Sequence, residues 1–302
     1  MINVISWNNG ESARAISSLV SNGKLLLKNG APIPRTSDGV INFGCSRDQR
    51  ENPRGVTVLN HPAAVAIACS KLRTFNAMAL DIAASEYTPW FSTDPDQAVL
   101  KSIMEDTPIV CRTIDNGHSG AGIIVKTPAE LQDDGSLPRA SVYVKATKKH
   151  REYRVHCGRF KGGVRGDRSI FRVIDVQRKV RRAGVPDGGV NGADRPFIWN
   201  HGNDFVFQRE GVNYSTIPSP VLYAAGHAMR VLDLDFAAID IIVEQQTGNV
   251  YVLEVNTSPG MEGSTLERYA EYFRARLGSG NQAGLSSWGG DSTEEQADDS
   301  ED

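Results

Sequence analysis

Nowhere in the 302 residues do eighteen apolar residues run together, so no membrane-spanning helix is expected. Met1 to Gly10 lacks the basic stretch and apolar run of a secretory signal, which favours a cytoplasmic protein. Cysteine is scarce. Cys45, Cys69, Cys111 and Cys157 are scattered without a CxxC pair, which argues against a zinc knuckle or a disulfide framework and for reduced thiols. A GxxxxGK[ST] run is missing, excluding a P-loop, and no internal repeat is found. With 40% apolar and 23% charged residues, the composition excludes collagen, a coiled coil and wholesale disorder.

What the chain does have is unevenly placed charge. The net charge of −3 conceals an acidic end: residues 278–302 carry seven acids and no Lys or Arg. Rich in Gly and Ser and poor in apolar residues, this tail cannot offset its ordering entropy and is expected to be disordered. Residues 145–182 are the opposite, with fourteen Lys or Arg against three acids. Such a run suggests a nucleic-acid surface. Its charges alternate with apolar residues along strands, however, and a polyanion such as a nucleotide triphosphate held across a sheet face explains it equally well.

Periodicity predicts mixed α/β structure. Leu25–Leu27 and Val40–Phe43 read as strands of a short βα layer, and Ser12–Arg14 as a helix start. Asn60-His61-Pro62 opens a helix with Asn60 as its cap, and Val65, Ala68, Cys69, Leu72, Phe75, Ala79 and Ile82 form its apolar stripe. Strands follow at 108–112, 123–125, 141–146, 152–160, 170–176, 236–244 and 249–256. Ser219-Pro220 starts an intervening helix, and Ser264 with Glu267 forms a capping box for a last helix that stops at Gly278.

The hairpin from Phe236 to Asn256 carries the clearest chemistry. Glu254 and Asn256 are two residues apart on one strand and share a face. A three-residue loop Gln246-Thr247-Gly248 places Asp240 opposite Glu254, whereas a two-residue loop slips the register and turns Asp240 to the other face. The favoured hairpin gathers two carboxylates and an amide oxygen among Ile239, Ile241, Ile242, Val250, Val252 and Val255. Polar groups in so apolar a setting need a partner, and hard oxygen ligands without His or Cys suit Mg²⁺ or Mn²⁺. The Gly-rich run Gly117-His118-Ser119-Gly120-Ala121-Gly122 lies between two strands and opens no helix, which suits a loop closing over phosphates better than a dinucleotide fold. His118 and His156 stand alone and read as hydrogen-bonded side chains rather than acid–base groups.

Asp240 followed by Val252-Leu253-Glu254-Val255-Asn256-Thr257-Ser258-Pro259-Gly260 resembles the metal-binding end of the ATP-grasp superfamily, in particular the carboxylate–amine ligases related to the ribosomal-protein glutamate ligases, including versions carried by tailed bacteriophages. The resemblance covers about residues 1–277. It implies an ATP-grasp α/β fold with two lobes sandwiching the nucleotide: a short N-terminal layer at 1–60, a small lobe at about 61–140, a C-terminal lobe at about 141–277, and the tail at 278–302. It further implies an ATP-dependent ligase making an amide or peptide bond through an acyl phosphate, with two Mg²⁺ (or Mn²⁺) ions held by Asp240, Glu254 and Asn256.

By the same resemblance, Lys71, Arg112, Gly117, Ser119, Gly120, Gly122, Tyr143 and Lys145 would contact the nucleotide, and Asn60 lies in the segment reaching its phosphates. Arg154, Arg178 and Lys179 would face the transferred phosphate, and Asn200 is a later cleft residue. Two positions depart from the family. Arg112 stands where Lys is usual, and the linker Ser141–Lys145 lacks the Glu often found beside adenine, leaving GTP open as the nucleotide. Expected partners are an amino acid, peptide or protein carboxylate and an amine, in the cytoplasm (of the host, for a phage version), without nucleic acid or membrane; an oligomer is compatible. The rival readings are a phosphotransferase on the same fold and a basic nucleic-acid-binding protein.

Overall fold

The computed structural model describes residues 1–7, 9–20, 24–27, 32–47, 55–115, 121–159, 171–184, 199, 201–212 and 214–278. Gly117, His118, Ser119, Gly120, Asn200 and the acidic tail beyond Gly278 lie outside the described residues.

The first layer comprises β1 (Ile2–Ser6), α1 (Glu11–Leu19), β2 (Leu25–Leu27), β3 (Gly39–Phe43) and β4 (Thr57–Leu59). They form a parallel sheet ordered β2-β1-β3-β4. β1 and β3 are buried along their whole length, as parallel strands covered on both faces must be.

Next come α2 (Pro62–Ala68), α3 (Lys71–Ala79), α4 (Ile82–Ser85), β5 (Phe91–Ser92), α5 (Pro95–Glu105), β6 (Ile109–Arg112), β7 (Ile123–Lys126), α6 (Pro128–Asp134) and β8 (Val142–Lys145). Their antiparallel sheet is ordered β5-β8-β6-β7. The single helix expected after residue 60 is broken in two places. The Ser70 hydroxyl accepts from Arg73 N–H and starts a new helix at Lys71, and Asp81 does the same for Ala83 and Ala84. Short polar side chains offer the backbone this alternative to continuing. Lys71 therefore sits in a first helical turn rather than on a long helix face.

The cap of α2 is His61, whose Nδ1 accepts from Ala63 N–H, and not Asn60. Asn60 is fully buried at φ +62°, a left-handed conformation that Asn tolerates better than most residues. Its Oδ1 accepts from Asp235 N–H at 2.8 Å and Phe236 N–H at 3.2 Å, and its Nδ2 donates to Phe236 O at 2.8 Å. It ties the end of the first layer to the chain 175 residues later, and its side chain is engaged there. Asn60→Ala strands three buried backbone groups and strains φ. It should cost about 3–5 kcal/mol, read as a lowered urea midpoint with unchanged m-value.

The remaining chain builds β9 (Lys149–Arg159), β10 (Phe171–Arg181), β11 (Phe205–Gln208), α7 (Ser219–Val231), β12 (Phe236–Glu244), β13 (Val250–Asn256) and α8 (Gly263–Leu277). The antiparallel sheet is ordered β11-β10-β9-β12-β13. One face carries Tyr153, Val155, Cys157, Ile239, Ile241 and Val252, which pack on Val221, Ala224, Ala228 and Met229 of α7. On the other face, Phe236 meets Tyr269 and Phe273 of α8. α8 covers only part of that face, and the rest turns toward the small sheet. The expected capping box is absent: α8 has no side-chain cap, and Ser264 Oγ instead accepts from Arg209.

Candidate active site

The uncovered part of the large sheet collects the charged residues. β9 contributes Glu152 and Arg154, β12 contributes Asp240 opposite Arg154, and β13 contributes Glu254 opposite Asp240. β10 adds Lys179, which pairs with Phe207 of β11. Strand alternation puts all six side chains on the face away from α7.

How Asp240 and Glu254 come together differs from the expectation. The turn holds four residues, 245–248, between Glu244 and Asn249, closed by Glu244 N–H to Asn249 O, with Gly248 at φ +73°. That loop alone would turn Glu254 away from Asp240. A bulge at Leu253 adds one residue to β13, so that Ile241 pairs with Val252 but Asp240 pairs with Glu254. Bulges re-aim side chains in this way.

The acids are held by cations. Arg154 grips Asp240 bidentately, Nε to Oδ1 at 2.7 Å and Nη2 to Oδ2 at 2.8 Å. Glu152, 2% exposed, receives Lys149 at 2.7 Å and Lys179 at 2.5 Å. Lys71, from α3 and 183 residues earlier, reaches Glu254 Oε1 at 3.4 Å. Burial pushes the Asp240 carboxyl up, but the Arg154 guanidinium outweighs it and holds the group below the usual carboxylate range. Burial lowers the Lys149 ammonium, against the pull of Glu152.

Arg112, at the end of β6, faces this cluster from the small sheet. Burial lowers its pKa, and the fields of Glu254 and Asp115 oppose the shift. Its Nε is buried without a hydrogen-bond partner. Gly122 sits at the base of the β6–β7 loop at φ +71°, where a Cβ would stand 2.7 Å from Ile114. Asn256 lies opposite Ala238, two residues beyond Glu254 on the same face.

Three predicted side chains go elsewhere. Tyr143 is buried among Ala98, Ile109, Cys111 and Leu131, its hydroxyl donating to Pro138 O. Lys145 shares that face and pairs with Glu105 of α5 at 2.9 Å. Val142 and Val144 take the other face, with Phe75. Arg178 pairs with Tyr153 on the α7 side of β10, opposite to Lys179. Period-two alternation allows one of two neighbouring strand residues into the cleft, and the sequence did not say which. The aromatic row on β11, Phe205 and Phe207, was not read at all. Its signal is Phe-Val-Phe, a period-two apolar pair beginning five residues past Asn200.

Five of the fourteen cations of the basic stretch, Lys145, Lys149, Arg154, Arg159 and Lys179, have carboxylate partners within the protein. No described helix is long and apolar enough to cross a membrane.

His156, next on the face after Arg154, is fully buried, with Nδ1 3.1 Å from Tyr269 Oη. Burial, then Arg154, lowers its pKa to about 4 from 6.5. The unfolded chain thus takes up this proton first as pH falls, and stability is lost between about pH 6.5 and 4. The contribution is about 3 kcal/mol. Urea unfolding at pH 7 and pH 4 should show His156→Gln losing less on acidification than wild type by about that amount.

As a metal site the donor set is incomplete by itself. Among the described residues no group of three His, Cys, Asp or Glu could hold an ion. Asp240, Glu254 and Asn256 offer only oxygens, which suits Mg²⁺ when phosphate or water oxygens complete its shell. The unpartnered Arg112 donor beside them suits an anion at the same place.

Neither a family model nor a curated protein matches the sequence. Solved structures do match the fold. D-alanyl-alanine synthetase A from Vibrio cholerae O1 biovar eltor str. N16961 is 15% identical, covering 91% of this chain and 96% of its own, with a TM-score of 0.58. The ATP-grasp ligase PsnB, complexed with a phosphomimetic variant of its minimal precursor, Mg and ADP, is 13% identical over 91% of this chain and 98% of its own, at 0.59. A RimK domain protein ATP-grasp from Sphaerobacter thermophilus DSM 20745 is 12% identical over 90% and 98%, at 0.54. The chain has the ATP-grasp fold.

Proposed function

We propose that the protein is an ATP-dependent carboxylate–amine ligase, of the kind that joins an amino acid or peptide carboxylate to an amine. The observation that carries this reading is the set of acids and cations on one sheet face, Asp240 and Glu254 with Arg154 and Lys179, opposed across the cleft by Lys71 and Arg112. The neighbours add support, since PsnB is described with Mg, ADP and a precursor and D-alanyl-alanine synthetase joins two amino acids by name. A relation to ribosomal-protein glutamate ligases, including phage versions, is the finer form of the same proposal.

A carboxylate and a triphosphate repel each other, so the site must first neutralise charge. Lys71 and Arg112 bind phosphate oxygens from the small-lobe side. Arg154 and Lys179 face the γ-phosphate and stabilise the charge that spreads over it during transfer; each such contact is worth roughly 3 kcal/mol in the transition state. Mg²⁺, held by Asp240, Glu254 and Asn256, would supply further charge neutralisation of the phosphates. The substrate carboxylate oxygen attacks the γ-phosphorus, the bond to the β–γ bridging oxygen breaks, and ADP leaves. The amine then attacks the acyl carbon, inorganic phosphate departs, and the amine loses a proton. Water must be kept from the acyl phosphate until the amine attacks, because its hydrolysis would waste the nucleotide.

The test is incubation with ATP, Mg²⁺, hydroxylamine and a panel of amino acids and acidic peptides, assaying ADP and hydroxamate together. Both products with one carboxylate support ligation and name the substrate. ADP without hydroxamate assigns phosphoryl transfer to another acceptor. Neither product with any carboxylate overturns the reading.

A further inference from the structure

We infer that Phe207 is a positioning residue for the proposed reaction: its ring is the stand that keeps Arg154 and Lys179 in the cleft when their carboxylate partners are taken by ligands. The inference rests on the ligase reading above.

Phe207 projects from β11 beside Lys179. The guanidinium carbon of Arg154 lies 3.9 Å from its ring centroid and Lys179 Nζ lies 4.6 Å from it. Two cations from two different strands thus share one half-buried ring. Each also has a carboxylate, Asp240 for Arg154 and Glu152 for Lys179. These attachments differ in kind. A divalent ion bound by Asp240 competes for the same oxygens as Arg154, and a phosphate competes with Glu152 for Lys179. The ring attracts cations through its quadrupole and offers no lone pair that a metal could claim. It is the contact that survives partner exchange.

Long side chains freed from their ion pairs would otherwise spread over many rotamers, and the like charges would drive them apart. The ring also faces its neighbours in a row. Phe205, two residues earlier, stacks on Trp199 at 4.8 Å with an interplanar angle of 5° and carries Arg181 at 5.8 Å. Only Phe207, among the described aromatic residues, holds two of the cations assigned to the transferred phosphate.

The experiment compares wild type with Phe207→Leu, Phe207→Met and Phe207→Tyr. Leu and Met keep apolar bulk without the ring, and either suffices should the other fail to fold; Tyr keeps the ring. Turnover is measured in the hydroxamate assay, and Mg·ATP and Mg·ADP binding by calorimetry. Loss of two cation–π contacts should slow turnover roughly 5- to 30-fold. ATP binding should weaken more than ADP binding, because both cations face the γ-phosphate. Phe207→Tyr should restore both quantities to within about twofold, and melting temperatures should stay close. Wild-type turnover and an unchanged ATP-to-ADP affinity ratio in the ring-less variants would overturn the inference, as would a Tyr variant as impaired as Leu. A wild-type protein that binds no nucleotide overturns the ligase reading itself, which is a separate result.

Discussion

Asp240→Ala should destabilise the protein by about 3–5 kcal/mol, because it leaves the Arg154 guanidinium largely buried without its counter-charge. The cost is that of an orphaned charge rather than the worth of the pair. Replacing both partners by apolar residues of similar size, Arg154→Met with Asp240→Leu, should therefore recover most of it and leave stability within about 1–2 kcal/mol of wild type. Urea unfolding of the four members of this cycle measures the coupling directly. If Asp240→Ala were no less stable than wild type, the bidentate pair could not be the buried contact described. The double variant should fold and yet be inactive, which separates the structural part of this pair from its chemical part.

Arg154→Gln should move two observables in opposite directions. Turnover should fall about 10²–10³-fold, the loss expected for one preorganised contact to developing charge. Binding of Mn²⁺ in the absence of nucleotide, followed by loss of its free EPR signal, should tighten by about tenfold, because Asp240 is no longer engaged by an internal cation. In the wild-type protein Arg154 and Lys71 engage Asp240 and Glu254, the two carboxylates proposed above as metal ligands. Metal and nucleotide should consequently bind with positive coupling, since the phosphates draw the cations off the carboxylates that the metal needs. Weaker Mn²⁺ binding by Arg154→Gln than by wild type would show that the arginine builds the metal site rather than competing for it.

Much of the architecture was legible from local pattern. The strand at Phe236–Glu244 and the helix from Ser219 to Val231 follow from apolar periodicity and an N-terminal proline. Strands β2 and β3 of the N-terminal layer follow from short apolar runs between turn signals. Thr127-Pro128 with Glu130, a capping box, went unread although its signal is strictly local. Two errors of local reading came from competition that periodicity does not register. Ser70 captures a backbone N–H and restarts the helix, and His61 caps where Asn60 was expected.

The candidate site was legible as an inventory and not as an arrangement. That Asp240, Glu254 and Asn256 are polar residues in strongly apolar strands is a property of the sequence, and their burial cost obliges them to find partners. Which partners they find is a property of the tertiary structure. Asp240 meets Arg154 across 86 residues and Glu254 meets Lys71 across 183, and no pattern of nearby residues encodes such distances. The same holds for orientation. A four-residue turn and the bulge at Leu253 together decide that Glu254 faces Asp240, and single-residue register decides that Lys179 enters the cleft while Arg178, Tyr143 and Lys145 turn away. Side-chain chemistry is written residue by residue, but a strand's register is fixed only when its neighbours bury the opposite face. The sequence thus determined which groups this protein has for its chemistry, and the packing of β9, β12 and β13 against α7 determined which of them meet.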